Sequence, residues 1–146
     1  IELAKISGDE GEVPVGAVIT KNGEIIATGR NRRELGKNAL YHAEIEAINN
    51  ACQKRGGWRL WQCERYVTLE PCPMCAGAII NSRIKRVVYG ASDLKAGSFG
   101  SVVNFNSLAY NHKPEIIGGI LEEECAALLS NFFLKLRQKR AEKQRD

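Results

Sequence analysis

No run of apolar residues in this sequence approaches the ~20 needed to span a bilayer. No positively charged segment followed by an apolar stretch stands at its start either. The expectation is a cytoplasmic protein with no membrane among its partners. Histidine is scarce, with 2 in 146 residues. A metal site can therefore draw only on His42 and His112 for imidazole. Cysteines number 5, an odd count at irregular spacings, which argues against a disulfide framework and for reduced thiols. Only one CxxC pair exists, Cys72 and Cys75, so a zinc site built from two such pairs is excluded. No Pro/Gly/Ser linker, internal repeat or low-complexity tract parts the chain, and one domain over residues 1–146 is expected.

The net charge is +4, and its placement says more than its size. The last twelve residues, KLRQKRAEKQRD, hold six basic and two acidic side chains. The rest of the chain therefore sums to zero, so the basic excess is a C-terminal feature. A solvated helix end accounts for it, since basic residues suit the last turn's dipole. A polyanion-binding tail is the sharper alternative.

Hydrophobic periodicity and turn residues give a coarse element order. The opening residues read as the end of a helix. Val13 to Thr20 and Glu24 to Thr28 read as strands joined by Asn22-Gly23, the strongest short hairpin signal. A polar loop runs to Leu40. A helix over Tyr41 to Lys54 stops at Gly56-Gly57. Arg65 to Leu69 is a strand, Cys72 to Ser82 a helix and Arg86 to Gly90 a strand. Ala91 to Lys113 is irregular, Glu115 to Ile117 a short strand, and Leu121 to Arg140 a long helix. A hairpin followed by alternating helices and strands gives an α/β sandwich with a mixed sheet.

Two of these helices aim chemistry inward. In the second, Cys72, Cys75, Ala76, Ile79 and Ile80 fall on one helical face, so both sulfurs point into the protein. They sit in the first turn, where the dipole and free amides favour thiolate. In the first helix, Glu44, Ala47, Ile48 and Ala51 form the apolar stripe, with a carboxylate at its head. Glu46 lies on the opposite, polar face and reads as ordinary surface. An inward carboxylate is costly unless a cation or a proton-transferring group meets it. His42 stands at the helix start, where it reaches the same place. His112, in an Asn-rich loop, reads as a surface or turn histidine.

His42, Cys72 and Cys75 therefore make a three-ligand zinc site that leaves one position for water. Catalytic zinc sites keep such an open place, and Glu44 beside it would shuttle the water's proton. CPMC alone would suit a redox dithiol equally well. The HAE stretch favours zinc, because a dithiol has no use for a histidine and an inward carboxylate. A closed structural site would need Cys63 as its fourth ligand. Cys52, Cys63 and Cys125 read as small core residues, and Phe132 and Phe133 as helix packing, with a stacking role as the sharper alternative.

HAE followed by PCPMC matches the nucleobase deaminase signature H-x-E…P-C-x-x-C. GEVPVGAVI, HAEIEAI, the run from YVTLEPCPMC to LKAGSFGS, and GGILEEECAALLSNFFLKLR extend the likeness across nearly the whole chain. Together they resemble the bacterial tRNA-specific adenosine deaminase family. The resemblance implies a cytidine-deaminase-like three-layer α/β/α sandwich with a five-stranded sheet, acting as a homodimer. It implies zinc-dependent conversion of the wobble adenosine of a tRNA anticodon to inosine, with Glu44 as proton shuttle. It also implies that Asn31 bonds the flipped base, Asp93 and Lys95 contact anticodon nucleotides, and Arg137 lies along the tRNA. Tyr41, before HAE, departs from the small or polar residues usual in the family. The short signature is shared with deaminases of free bases or nucleosides such as guanine and cytosine, which are the first alternative. A non-catalytic, zinc-stabilised RNA-binding module is the second, and it would need a closed four-ligand site.

Overall fold

The fold follows from a hairpin and two crossover helices. The computed structural model describes residues 1–145; Asp146, the end of the expected basic helix and of the expected domain, lies outside the described residues. The elements are α1 (Glu2–Asp9), β1 (Gly16–Lys21), β2 (Glu24–Arg30), α2 (Ala43–Arg55), β3 (Cys63–Leu69), α3 (Pro73–Ser82), β4 (Arg86–Ala91), a 3₁₀ turn over Phe105–Ser107, β5 (Glu115–Ile117) and α4 (Glu122–Arg145). One five-stranded sheet has the order β2-β1-β3-β4-β5. β1 runs antiparallel to both β2 and β3, whereas β3, β4 and β5 are parallel. Helices α2 and α3 pack together on one face, and α1 and α4 meet on the other. This is the three-layer α/β/α sandwich with a mixed sheet. No helix of the described residues is long and apolar enough to cross a membrane.

Local chemistry explains the boundaries. Asn22 and Gly23 both have positive φ, 53° and 80°, as a tight hairpin turn requires. The first strand starts at Gly16 rather than Val13, because Pro14 has no amide hydrogen for the ladder. The third strand begins earlier than expected, so Cys63 lies within it. Helix α2 carries Glu44 and Glu46 in its first turn and Lys54 and Arg55 in its last, and ends at Gly56 with φ 70°. Both charge placements suit the helix dipole, and the left-handed end suits glycine. The core joins the inner row of β1 and β3 to alanines of the helices, Ala43, Ala47, Ala51 and Ala76, all fully buried. Small residues let α2 and α3 lie close to the sheet and to each other.

Three expectations are corrected. Glu46 is not ordinary surface: it accepts the Arg30 amide at 2.7 Å and pairs with Arg32, tying α2 to the end of β2. His112 is half-buried, with Nε2 at 2.6 Å from the Ile84 carbonyl, so it anchors its loop to the α3–β4 connection. Phe132 and Phe133 touch each other edge to face, but Phe133 is 41% exposed and Cys125 is the buried residue of α4. Beyond Cys125 the helix keeps only a half-buried stripe, through Leu128, Leu129, Phe132 and Leu136.

Gly29 tests the helix–sheet contact. A Cβ there would overlap the Ala43 carbonyl and the Ala47 amide. Gly29→Ala is expected to destabilise the protein by roughly 1–3 kcal/mol, the usual cost of overpacking. Urea unfolding checks this, and an unchanged midpoint would contradict the close approach.

Candidate metal and active site

The site forms where two helices begin. His42 is the N-cap of α2, with extended backbone (φ −82°, ψ 151°). Cys72 is the N-cap of α3, also extended (φ −73°, ψ 174°), and Pro73 follows at the first helical position, where a missing amide hydrogen costs nothing. Neither side chain caps its own helix. Both are free to face each other. Cys75 stands one turn into α3 and is fully buried, whereas Cys72 is half-exposed at the cavity wall. Both sulfurs point inward toward His42, Cys75 from within the core and Cys72 from the cavity wall.

The geometry fits a metal. His42 Nδ1 lies 3.6 Å from each sulfur. All three donor atoms lie within 4.8 Å of one another. In a tetrahedron with Zn–S near 2.3 Å and Zn–N near 2.0 Å, the S···N edge is about 3.5 Å. Two soft sulfurs and an imidazole nitrogen are a donor set that zinc accepts. Cys63, the candidate for a fourth ligand, instead accepts from Arg55 at 3.2 Å, and His112 is held elsewhere.

Without metal, the three groups share protons. The Cys75 hydrogen bond, with help from His42, lowers the Cys72 thiol to about 4. The Cys75 thiol is pushed up, first by that bond to Cys72 and then by burial. His42 is raised by its hydrogen bond to Cys72. The cysteine pair therefore shares a proton, and the hydrogen bond favours the thiolate at Cys72.

Beside the triad lies a cavity of about 230 Å³, lined by His42, Glu44, Cys72, Asn31 and Asp93 among others. Glu44 is 4% exposed and opens onto this space. Asn31 is buried; it donates to the Val13 carbonyl at 3.1 Å and accepts from the Arg33 amide at 3.3 Å. One amide hydrogen and one oxygen lone pair remain free for a ligand. Asp93 uses its carboxylate to accept from the amides of Lys95 and Ala96, so it shapes the loop that closes the cavity. Lys95 is exposed on that loop and lies off the cavity wall. Arg137 is exposed on α4 and also lies away from the cavity.

Sequence reasoning missed three buried charges. Glu70, 1% exposed, accepts the amides of Asp93, Phe99 and Ser101 and the Ser101 hydroxyl. It straps the loop after β4 to the start of α3. Glu12, also 1% exposed, accepts the amides of Glu34 and Leu35 and holds the loop before α2. Arg65 is fully buried in the middle of β3, and none of its three side-chain nitrogens has a partner. A signal for Glu70 was present: a carboxylate between a strand and a proline-led helix has nowhere exposed to go.

With the geometry in place, similarity can be weighed. A family model described as MafB19-like deaminase matches residues 1–137. The tRNA-specific adenosine deaminase of Bacillus subtilis (strain 168) is 49% identical over 141 residues, covering 96% of this chain and 88% of that one. The chain belongs to the tRNA-specific adenosine deaminase family. A solved structure from work on A-to-I editing by tRNA:A34 deaminases at the wobble position superposes with TM-score 0.85 at 43% identity, covering 88% of this chain and 94% of the other. Guanine deaminase from Nitrosomonas europaea superposes with TM-score 0.79 at 26% identity, covering 90% and 79%. The fold is therefore shared with a free-base deaminase, while sequence identity is much higher to the tRNA deaminases.

Proton accounting gives a test of the ligand set. Zinc must displace the proton of Cys75 and whatever proton His42 holds, so binding at pH 7 should release about one to two protons per zinc. Affinity should then weaken as pH falls. Calorimetry in buffers of different ionisation enthalpy measures this, and binding with no proton release would contradict the assignment.

Proposed function

We infer that this protein hydrolyses adenosine to inosine at the wobble position of a tRNA anticodon. The observation that carries this is the single cavity lined by His42, Cys72 and the buried Glu44, with Cys75 completing the donor set behind its wall. The chain's 49% identity to a tRNA-specific adenosine deaminase supports the choice of substrate. His42, Cys72 and Cys75 hold one zinc ion. When bound, zinc supplies the Lewis acidity that makes water a nucleophile near neutral pH.

The chain's own residues do the rest. Glu44 takes one proton from the attacking water and gives it to the purine ring nitrogen, then takes the second proton from the new C6 hydroxyl and gives it to the amino group, which departs as ammonia. Adenosine and water thus give inosine and ammonia. Asn31 offers its free amide hydrogen and oxygen to the base. At about 230 Å³ the cavity is smaller than the ~300–1,000 Å³ of sites that enclose a whole ligand. It suits one flipped base, with sugar and phosphates left outside. Asp93 holds the loop over that base, and Lys95, exposed on the same loop, meets neighbouring nucleotides. Arg137 and the basic residues after it meet the RNA backbone.

The protein works in the cytoplasm as a homodimer. Leu94, Val102 and Leu108, exposed on the loops after β4, offer apolar surface that a second copy would cover.

The test is an incubation of zinc-loaded protein with three sets of substrates. They are an anticodon stem-loop carrying adenosine at the wobble position, the same loop with cytidine, and free adenosine, guanine and cytosine. Mass spectrometry should find inosine from the adenosine loop alone. Product from a free base would discard the tRNA assignment and keep the zinc chemistry. Silence across the set would move weight to a non-catalytic RNA-binding module.

Two variants sharpen the reading. Glu44→Gln should retain zinc and lower kcat by about 10²–10⁴, the range of general acid–base catalysis. Normal turnover in that variant would remove Glu44 from the mechanism. Deleting residues 139–146 should raise KM for the stem-loop and flatten its salt dependence, because fewer counterions are released. Unchanged KM and salt slope would take the tail off the RNA.

A further inference from the structure

Arg65 sits in the centre of the sheet. Its neighbours across the ladder are Ile19 on β1 and Val87 on β4, both fully buried. All three belong to the row that faces α2 and α3, since Ile19 and Val87 share one core with Ala43, Ala47 and Ala76. An apolar side chain would satisfy this position. A guanidinium does not, because it brings five N–H donors and a permanent charge. Nε, Nη1 and Nη2 are all sealed from solvent without a hydrogen-bond partner.

A buried cation persists when opposite charge lies close enough to hold it. The charged groups that act on Arg65 are Glu44 first, then the sulfurs of Cys75 and Cys72. These are the groups of the site, which stands on the starts of α2 and α3 above the same face of the sheet. The cation is therefore placed under the site and away from the cavity wall, on which it has no atom.

We propose that Arg65 is a positioning residue of the metal site, a guanidinium sealed beneath it that makes no direct hydrogen bond to it and whose charge acts on the Glu44 carboxylate and, once metal is bound, on the Cys75 thiolate. It acts as an outer partner to a metal ligand. Such partners fix ligand orientation and tune ligand basicity. The inference rests on the metal-site reading above, and not on which nucleic acid is the substrate.

Cobalt in place of zinc makes the effect visible. A positive charge near a thiolate lowers the energy of the sulfur lone pairs, which raises the energy of the sulfur-to-cobalt charge-transfer band. In Arg65→Met and Arg65→Gln that band should move to longer wavelength, with Arg65→Lys in between. Zinc, titrated against a chelating dye, should bind Arg65→Met about 10–100-fold more weakly than the wild type. If the neutral variants do not fold, Arg65→Lys decides alone, because moving the charge to a single ammonium should still shift the band part of the way. An unmoved band in every variant that folds, with unchanged zinc affinity, would make Arg65 a core residue and overturn the inference. A wild-type protein that takes up cobalt without any sulfur charge-transfer band would overturn the metal-site reading itself, and this inference with it.

Discussion

Two helix N-termini converge on one point, and the rest of the structure is arranged to keep them there. His42 and Cys72 are N-cap residues whose side chains decline the usual capping role. Each N-terminus carries unpaired amides and a partial positive charge. Bringing two together favours negative ligands, and thiolates and a carboxylate are what the sequence supplies. The approach depends on alanine. Ala43, Ala47 and Ala51 along α2 and Ala76 on α3 leave no bulk to hold the helices off the sheet. Larger residues there would separate the donor atoms by more than the ~3.5 Å edge a tetrahedral metal needs.

Buried carboxylates finish what the helices begin. Glu70 gathers amides from the loop after β4, and Glu12 gathers amides from the loop before α2. Each replaces a stretch of regular secondary structure with a single acceptor for several orphan donors. The result is a cavity with loops for walls and strands and helix starts for a floor. Gly97 shows how tight the strap is, because a Cβ at that position would overlap the Glu70 carboxylate. Reactive groups thus stand on rigid elements, while the loops that would meet RNA are set around them.

The sequence made the candidate metal site legible because its signals are local. A histidine at a helix start, a carboxylate at the head of an apolar stripe and CPMC after a strand each follow from a few adjacent residues. The hairpin was equally plain from Asn22-Gly23. What stayed hidden depends on distant partners. Glu46 looked like surface until Arg30 and Arg32, some fifteen residues away, came to meet it. His112 looked like a loop residue until the Ile84 carbonyl lay beside it. Arg65 was lost inside a short strand, since period-two alternation places a residue on a face without saying what charge lies across it. The exposure of Phe133 was hidden too, because helical periodicity shows which residues share a face and not whether anything packs on that face.

One measurement bears on the whole account. X-ray absorption at the zinc edge of the purified, metal-loaded protein counts the atoms around the ion. Two sulfurs, one imidazole nitrogen and one light oxygen would match Cys72, Cys75 and His42 with a place left open for chemistry. Three sulfurs and a nitrogen would bring Cys63 into the shell and close the site. That result would contradict the ligand geometry at the two helix starts and the catalytic role built on it.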